Sequence, residues 1–142
     1  MFVRGFALIW KNKSMNFSEI LVIGVSSRAL FDLEKGNEVF DKKGIEEYRK
    51  FQQENEDEPL KPGTAFYLVK SLLELNNQAD KRIVEVIVMS RNSPETGVRM
   101  LNSIKKHKLD ITRVALSGGE PLSPYIDAFD IDAGCYETLD YI

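Results

Sequence analysis

Three continuous apolar runs constrain the fold of this chain more than any other feature of its sequence. They cover residues 20–25 (ILVIGV), 83–89 (IVEVIVM) and 111–116 (ITRVAL). Runs of this kind, rich in β-branched residues and without strict alternation of apolar and polar positions, are typical of parallel strands covered on both faces. The gaps between the runs are long enough for a helix in each crossover.

Two helices are predicted in these gaps. The first covers residues 64–76 and follows the helix breaker Pro62-Gly63. Its apolar face consists of Phe66, Val69, Leu72 and Leu73. The second begins at Ser93-Pro94-Glu95, which supplies an N-cap candidate, a proline for the first turn and an acid near the positive end of the helix dipole. Its predicted apolar positions are Val98, Leu101 and Ile104, and the neighbouring lysines place its end near His107.

The order strand, helix, strand, helix, strand predicts an α/β fold, an open parallel sheet with helices on both faces. A length of 142 residues suits one domain, which we assign to residues 20–142. Residues 1–19 are expected to be an N-terminal extension. In the alternative interpretation, this segment docks on the domain through Phe6, Leu8 and Trp10.

Residues 32–63 form a polar insertion between the first strand and the first helix. Acidic residues are frequent throughout it. Its middle, residues 44–59, can present Ile45, Tyr48 and Phe51 at three-residue spacing. The insertion is therefore predicted to be a small helical flap or cap.

Charge excludes one class of partner. The net charge is −3 and the sequence predicts no clustered basic face of the kind that binding to long nucleic acid needs. A small anion remains compatible with this composition. The apolar run at residues 5–10 is too short for the core of a signal peptide and is followed by Lys11 and Lys13, so neither export nor a membrane partner is expected.

The chain has one cysteine, Cys135, and one histidine, His107, which cannot form an internal disulfide or supply a zinc site. This cysteine content suits the reducing cytoplasm. Cys135 is interpreted as a small core residue. His107 lies among lysines and is interpreted as a solvated side chain.

Polar residues follow each of the three predicted strands. Because ligands of open parallel sheets bind beyond the carboxyl ends of the strands, these residues form a predicted binding site for phosphate or a nucleotide. Hydroxyls, guanidiniums and a diglycine that can form a backbone nest suit a phosphate group. The residues are Ser26, Ser27, Arg28, Ser90, Arg91, Asn92, Ser117, Gly118 and Gly119. In the alternative interpretation, the small residues only form tight turns.

Two acids, Asp130 and Asp132, flank a predicted final strand at residues 129–135, and either could face the same end of the sheet. They do not make a magnesium site alone, because Mg²⁺ prefers carboxylates completed by waters and substrate phosphate. The nearest partner strand ends in Val25 and two serines. Both acids are therefore interpreted as surface residues.

Several strings resemble the N-terminal half of the cytosolic type I 5′-nucleotidases, from about residue 20 to residue 130. These strings are VSSRALFDLE, EEYRKFQQENEDEPLKPGTAF, MSRNSPETGVRMLNSIKKHKLDITR and ALSGGEPLSPYIDAF. The resemblance implies a haloacid-dehalogenase-like (Rossmann-type) unit, the first of two in tandem. It also implies a cytoplasmic protein of nucleotide metabolism, whose family removes the 5′-phosphate from nucleoside monophosphates such as AMP with Mg²⁺.

The resemblance places the family's catalytic pattern, Asp-Gly-Asp-Ala-Val, in the second unit, where the first Asp is the nucleophile and the second handles the proton of the leaving group. Aligning Leu30-Phe31 with the Leu-Phe of that pattern puts Val25 at the nucleophile and Ser27 at the second acid. Valine has no atom able to attack phosphorus. No Lys or Arg occurs from residue 114 to residue 142 to neutralise the charge of a phosphate. No catalytic residue and no metal ligand is therefore assigned.

Three hypotheses follow. In the leading one, the chain is a catalytically degenerate lobe with a structural or regulatory role, which binds no Mg²⁺ itself. Such a lobe is expected to pack against a missing catalytic half or against a second copy in a homodimer. The first alternative is a binding module for phosphate or a nucleoside monophosphate. The second is an active, magnesium-dependent nucleotidase with a rearranged site that uses Asp32 or the terminal acids.

Overall fold

A mixed six-stranded sheet forms the centre of the protein in a computed structural model, which describes residues 20–134 and the backbone of residues 2–3, 6–10 and 135–136. The strands are β1 (Phe2–Val3), β2 (Phe6–Trp10), β3 (Leu21–Ser26), β4 (Val84–Ser90), β5 (Arg113–Leu116) and β6 (Ala133–Tyr136). Their order in the sheet is β1-β2-β6-β3-β4-β5, and the last four of these are parallel. The predicted open parallel sheet is confirmed.

The N-terminal strands widen the sheet at one edge. β2 pairs antiparallel with β6, with Leu8 opposite Cys135, and β1 pairs antiparallel with β2. The N-terminal extension over residues 1–19 and its docked alternative through Phe6, Leu8 and Trp10 both stay predictions. The side chains of that strand and of Cys135, together with residues 11–19 and 137–142, lie outside the described part of the chain.

Helices connect the parallel strands. They are α1 (Ser27–Leu30), α2 (Glu34–Lys43), α3 (Ile45–Glu54), α4 (Phe66–Glu74), α5 (Pro94–Lys106) and α6 (Ser123–Ala128), and a 3-10 turn (Leu75–Gln78) extends α4. The predicted crossover helices are α4 and α5. His107 ends α5 as predicted, because its backbone N–H still bonds to the Ser103 carbonyl.

Both faces of the sheet are covered. One face of β4 points Val84, Val86 and Val88 into a core that α1, α4 and α5 complete with residues such as Leu30, Val69 and Met100. The other face points Ile87 and Met89 towards Leu122 and Ile131, with residues of α6 packed against them. The strands are therefore buried on both sides, which explains why their sequences are apolar without alternation.

The apolar face predicted for α5 is partly wrong. Val98 is 37% exposed, whereas the buried side contains Thr96, Met100, Ser103 and Ile104. Side chains three residues apart are rotated by about 60° around an α-helix of 3.6 residues per turn, so a strict three-residue spacing drifts off one face. The buried residues of α5 instead follow the helical period of about 3.6 residues.

The insertion at residues 32–63 consists of two helices, α2 and α3, joined at Gly44. Backbone hydrogen bonds close its base, from Asp32 N to Lys61 O at 2.9 Å and from Gly63 N to Leu30 O at 2.9 Å. A Cβ on Gly63 would lie 2.7 Å from the Ala29 carbonyl oxygen, so this close approach requires glycine. The two helices thus leave and rejoin the core at one point.

Within the described part of the chain, no helix is both long enough and apolar enough to cross a bilayer.

Candidate functional site

An open cavity of about 640 Å³ lies beyond the carboxyl ends of β3, β4 and β5. The chain order reverses beside β3, which has β4 on one side and β6 on the other. Such a reversal is where open α/β sheets bind ligands. All predicted site residues except Ser117 line this cavity, namely Ser26, Ser27, Arg28, Ser90, Arg91, Asn92, Gly118 and Gly119.

The end of β3 runs directly into α1, and two serines make this junction. The Ser26 hydroxyl accepts a hydrogen bond from the Ala29 N–H at 3.1 Å and so caps the helix. The Ser27 hydroxyl donates to the Ser90 hydroxyl at 3.1 Å. Both serines are 7% exposed, so their hydroxyls are fixed rather than free to rotate in solvent.

Hydrogen bonds to three parts of the chain fix the loop after β4. Ser90 Oγ accepts from the Asn92 N–H at 3.2 Å. The Tyr48 hydroxyl, on α3, donates to Asn92 Oδ1 at 3.0 Å. The Asn92 carbonyl accepts from the Gly118 N–H at 3.1 Å. One asparagine therefore links the insertion, β4 and the loop after β5.

The diglycine after β5 forms a left-handed turn, with φ of 63° at Gly118 and 100° at Gly119. Its polar atoms bond mainly within the protein. Besides the Gly118 N–H, the Gly119 carbonyl accepts from Arg91 Nε at 3.2 Å and from Arg91 Nη2 at 2.6 Å. The Ser117 hydroxyl donates to the Glu120 carbonyl at 2.6 Å. The two glycines thus form the turn, and the Gly119 carbonyl holds the Arg91 guanidinium at the cavity.

Six lining residues come from the two helices of the insertion, and none of them is assigned to the site from the sequence. They are Asn37, Phe40 and Asp41 on α2, and Ile45, Tyr48 and Arg49 on α3. Each set has the spacing i, i+3, i+4, which places its members on one face of a helix. This spacing groups the three residues of each helix, but it does not show which way that face points.

The lining is electropositive. It contains three guanidiniums, from Arg28, Arg49 and Arg91, and among its described members one carboxylate, Asp41. Arg49 is also 3.0 Å from Glu46 and 3.7 Å from Glu95, both on the outer surface. Because arginine matches the geometry of phosphate oxygens, the excess of guanidiniums favours an anionic ligand.

Asp132 and Asp32, two acids considered for a rearranged metal site, lie away from the cavity. Asp132 Oδ2 accepts from the Val22 N–H at 3.0 Å, and the Asp132 N–H donates to Val22 O at 2.8 Å. Val22 lies at the amino end of β3, so Asp132 is at the end of the sheet opposite the cavity. Asp32 Oδ1 accepts from the Glu34 N–H at 3.0 Å at the start of α2. Neither acid lines the cavity.

His107 is not a solvated side chain, contrary to the sequence interpretation. It is half-buried, and its Nε2 lies 2.7 Å from the Leu60 carbonyl oxygen. Its ring stacks on Phe31 at 5.7 Å and meets Phe66 edge-on at 4.9 Å. The histidine therefore packs the end of α5 against the base of the insertion, away from the cavity.

Comparison with known proteins shows the family of this chain. The model of the 5′-nucleotidase family matches residues 13–133. The chain therefore belongs to the 5′-nucleotidase family. Human cytosolic 5′-nucleotidase 1B is 32% identical to it over 126 residues, which are 84% of this chain. The chain spans 20% of the length of that relative. No solved structure matches the chain.

The parallel α/β sheet is consistent with a haloacid-dehalogenase-like member of the 5′-nucleotidase family. The residues at its strand ends do not suit the Mg²⁺ of that family. Val25 is fully buried in the core, and the neighbouring polar groups are hydroxyls and guanidiniums. Mg²⁺ prefers carboxylate oxygens, and no group of three or more His, Cys, Asp or Glu side chains that could bind a metal occurs within the described ranges.

Proposed function

We propose that this member of the 5′-nucleotidase family is a non-hydrolysing lobe that binds a phosphate group in the cavity. The observation that supports the proposal best is the chemistry at the carboxyl ends of the strands. Guanidiniums of Arg28 and Arg91 and buried serine hydroxyls line the cavity there, and no carboxylate of the described lining lies at a strand end. Guanidiniums bind a phosphate dianion, and a serine hydroxyl attacks phosphorus only when an adjacent general base activates it.

The absence of hydrolysis follows from two positions. Val25 stands where the family resemblance expects the nucleophile, and it is fully buried. Ser27 stands where the second acid is expected, and its hydroxyl already donates to Ser90. Asp41, the carboxylate in the lining, lies on α2 of the insertion and not on a strand end. We therefore propose a structural or regulatory role, with any Mg²⁺ bound by a separate catalytic unit.

Location and partner are part of the same proposal. The related human protein is described as cytosolic, which supports a cytoplasmic location here. α4 exposes Tyr67 and Leu68, and the 3-10 turn after it exposes Leu75; these residues are 69%, 45% and 40% accessible. Exposed apolar side chains in one helical segment are consistent with packing against a catalytic unit or a second copy. Sedimentation velocity should then detect self-association of the purified chain, which Leu68→Glu should weaken.

Thermal unfolding with inorganic phosphate tests the binding proposal. A ligand that binds only the native state at a concentration of about 100 times its Kd stabilises it by about 2.7 kcal/mol. The melting temperature of the wild type should rise with millimolar phosphate at constant ionic strength. Arg28→Ala should remove the rise relative to its own melting temperature. Lys70→Ala, an exposed change on α4, should keep it.

Two outcomes would overturn the binding proposal: no rise in the wild type, or an equal rise in Arg28→Ala. Hydrolysis is tested separately by release of phosphate from AMP with Mg²⁺. The purified chain should release none above buffer. Release that disappears in Asp41→Asn or Asp32→Asn would instead support the active enzyme with a rearranged site.

A further inference from the structure

We infer that the outer face of α4 is a self-complementary interface, on which a second copy of this chain packs its own α4 in the opposite direction. Leu68 of each copy then lies against Leu75 of the other, and Lys70 of each copy lies against Glu74 of the other. The inference goes beyond the proposed function, because it selects the second copy as the partner and specifies the contact. It is independent of the cavity, which α4 does not line.

One side of α4 is exposed from its first turn to the 3-10 turn that follows it. Tyr67, Leu68 and Leu75 are exposed, and so is Ser71 between them. The opposite side of the helix is buried in the core. Leu75 still has helical backbone angles, with φ of −60° and ψ of −29°. Since residues at i and i+7 differ by only about 20° around a helix, Leu68 and Leu75 lie along one line of the exposed face.

Two exposed residues of opposite charge, Lys70 and Glu74, lie along one edge of this face. Their spacing of i, i+4 makes them neighbours on the helix surface. With the lysine first, a pair within the helix has the weaker of the two orientations. Neither side chain forms an ion pair with another residue in the described part of the chain. Both charges are therefore available to a partner.

The positions of the charges and of the leucines favour antiparallel packing. Glu74 and Leu75 are consecutive and so point about 100° apart, which places the charges and the leucines on opposite edges of the face. In an antiparallel pair with two-fold symmetry, each edge meets the same edge of the other copy, so lysine meets glutamate twice and leucine meets leucine. A parallel pair would place the charged edge against the leucines instead.

One two-fold axis satisfies both sets of contacts. The midpoint of Leu68 and Leu75 and the midpoint of Lys70 and Glu74 fall in the same turn, beside Ser71. Two independent pairs with the same midpoint are what an isologous contact requires, because each residue must find its partner at the same distance from the axis. The side chain of Ser71 is small, which allows the two helix axes to approach closely.

Tyr67 adds a large side chain whose orientation is already restricted. Its ring meets the ring of the buried Phe66 edge-on, with the centroids 5.3 Å apart and the planes at 81°. Tyrosine is enriched among the residues that contribute most to binding at interfaces. One helix from each copy is nevertheless a small contact area, so we expect a dimer that dissociates on dilution.

Charge reversal tests the inference, with sedimentation equilibrium of the purified chain as the measurement. In Lys70→Glu or Glu74→Lys, both symmetric pairs become repulsive, so each change should weaken self-association about tenfold at low salt. The double variant with both changes restores opposite charges and should dimerise like the wild type. Lys43→Glu, the same change in charge at an exposed position on α2, is the matched control and should leave self-association unchanged.

An equimolar mixture of Lys70→Glu and Glu74→Lys extends the test. Each variant is repelled by its own copies, but every glutamate of one then meets a lysine of the other, so the mixture should associate about as tightly as the wild type. A mixture of Lys43→Glu and Glu74→Lys has the same net charges and should not recover the association. Recovery in both mixtures would mean that net charge is the cause and would overturn the inference.

The remaining outcomes separate this inference from the proposed function. A wild type that stays monomeric at the highest concentration would overturn the interface. A double variant that is as weak as the single variants would also overturn it, and is the result expected if a catalytic unit is the partner of this face. The rise in melting temperature with phosphate should persist in Lys70→Glu, because α4 does not line the cavity. Absence of that rise in the wild type would overturn the phosphate site and leave the interface standing.

Discussion

The hydroxyl of Ser27 donates to the hydroxyl of Ser90 across the carboxyl ends of β3 and β4, at 3.1 Å. The two residues are 63 positions apart in the chain, and Ser90 is 2% exposed. Ser90 Oγ also accepts from the Asn92 N–H at 3.2 Å. A single buried hydroxyl therefore connects the start of α1 to the loop after β4, and both form the wall of the cavity.

Replacement of Ser90 should destabilise the protein because it leaves two polar groups without their hydrogen-bond partner. In Ser90→Ala, the Ser27 hydroxyl and the Asn92 N–H lose their shared partner, and a buried polar group without a partner costs about 1–3 kcal/mol. The free energy of unfolding, measured in urea, should fall by that amount. Ser71→Ala, an exposed change on α4, should shift it by less than about 0.5 kcal/mol. Equal effects of the two changes would contradict the role given to Ser90.

Tyr48 should contribute to stability through its hydroxyl as well as its ring. Tyr48→Phe keeps the contact with Phe40 but removes the hydrogen bond to Asn92 Oδ1 at 3.0 Å. A lost hydrogen bond of this kind costs about 0.5–1.5 kcal/mol. Thermal unfolding should show the decrease, and Tyr67→Phe, at a ring that is 69% exposed, should show none. A decrease in both variants would mean that the link to Asn92 is not the cause.

Glycine should be required at position 44 because of the backbone conformation there, and not because a side chain would lack space. Its φ of 84° and ψ of −175° lie in a region that is essentially restricted to glycine, yet nothing lies within 4 Å of a Cβ built there. Gly44→Ala should therefore cost on the order of 1–3 kcal/mol through strain. A D-alanine at this position, introduced by chemical ligation, favours the same φ and ψ and should cost much less. Equal destabilisation by both alanines would point to a clash instead.

The sequence was sufficient to predict the central strands and the place of the site. β3 and β4 are buried on both faces, so their apolar runs are long and their bounds were predicted to within one residue. Carboxyl ends of parallel strands meet at one edge of a sheet. For this reason residues as distant as Ser26 and Gly119 could be assigned to one cavity before their positions were known.

The rest depends on contacts between distant parts of the chain. The lining residues of the insertion, such as Phe40 and Arg49, could not be assigned because nothing local fixes the direction in which α2 and α3 pack. His107 was misread for a similar reason. Its partner Leu60 is 47 positions away, and the neighbouring lysines indicated only a helix end. The break at Gly44, a positive-φ residue between two polar helices, was a local signal that remained unused.

Glu95 should oppose phosphate binding while it stabilises the fold. It lies 3.7 Å from Arg49, which lines the cavity, and it is in the first turn of α5, where an acid interacts favourably with the helix dipole. In Glu95→Gln, Arg49 loses a competing carboxylate, so phosphate should bind about twofold more tightly at low salt, with the gain screened at high salt. The same change should lower the free energy of unfolding by a few tenths of a kcal/mol. Glu74→Gln on α4 is the control for net charge and should leave phosphate affinity unchanged, because that helix does not line the cavity. Unchanged affinity in Glu95→Gln at low salt would show that Arg49 does not contact the anion.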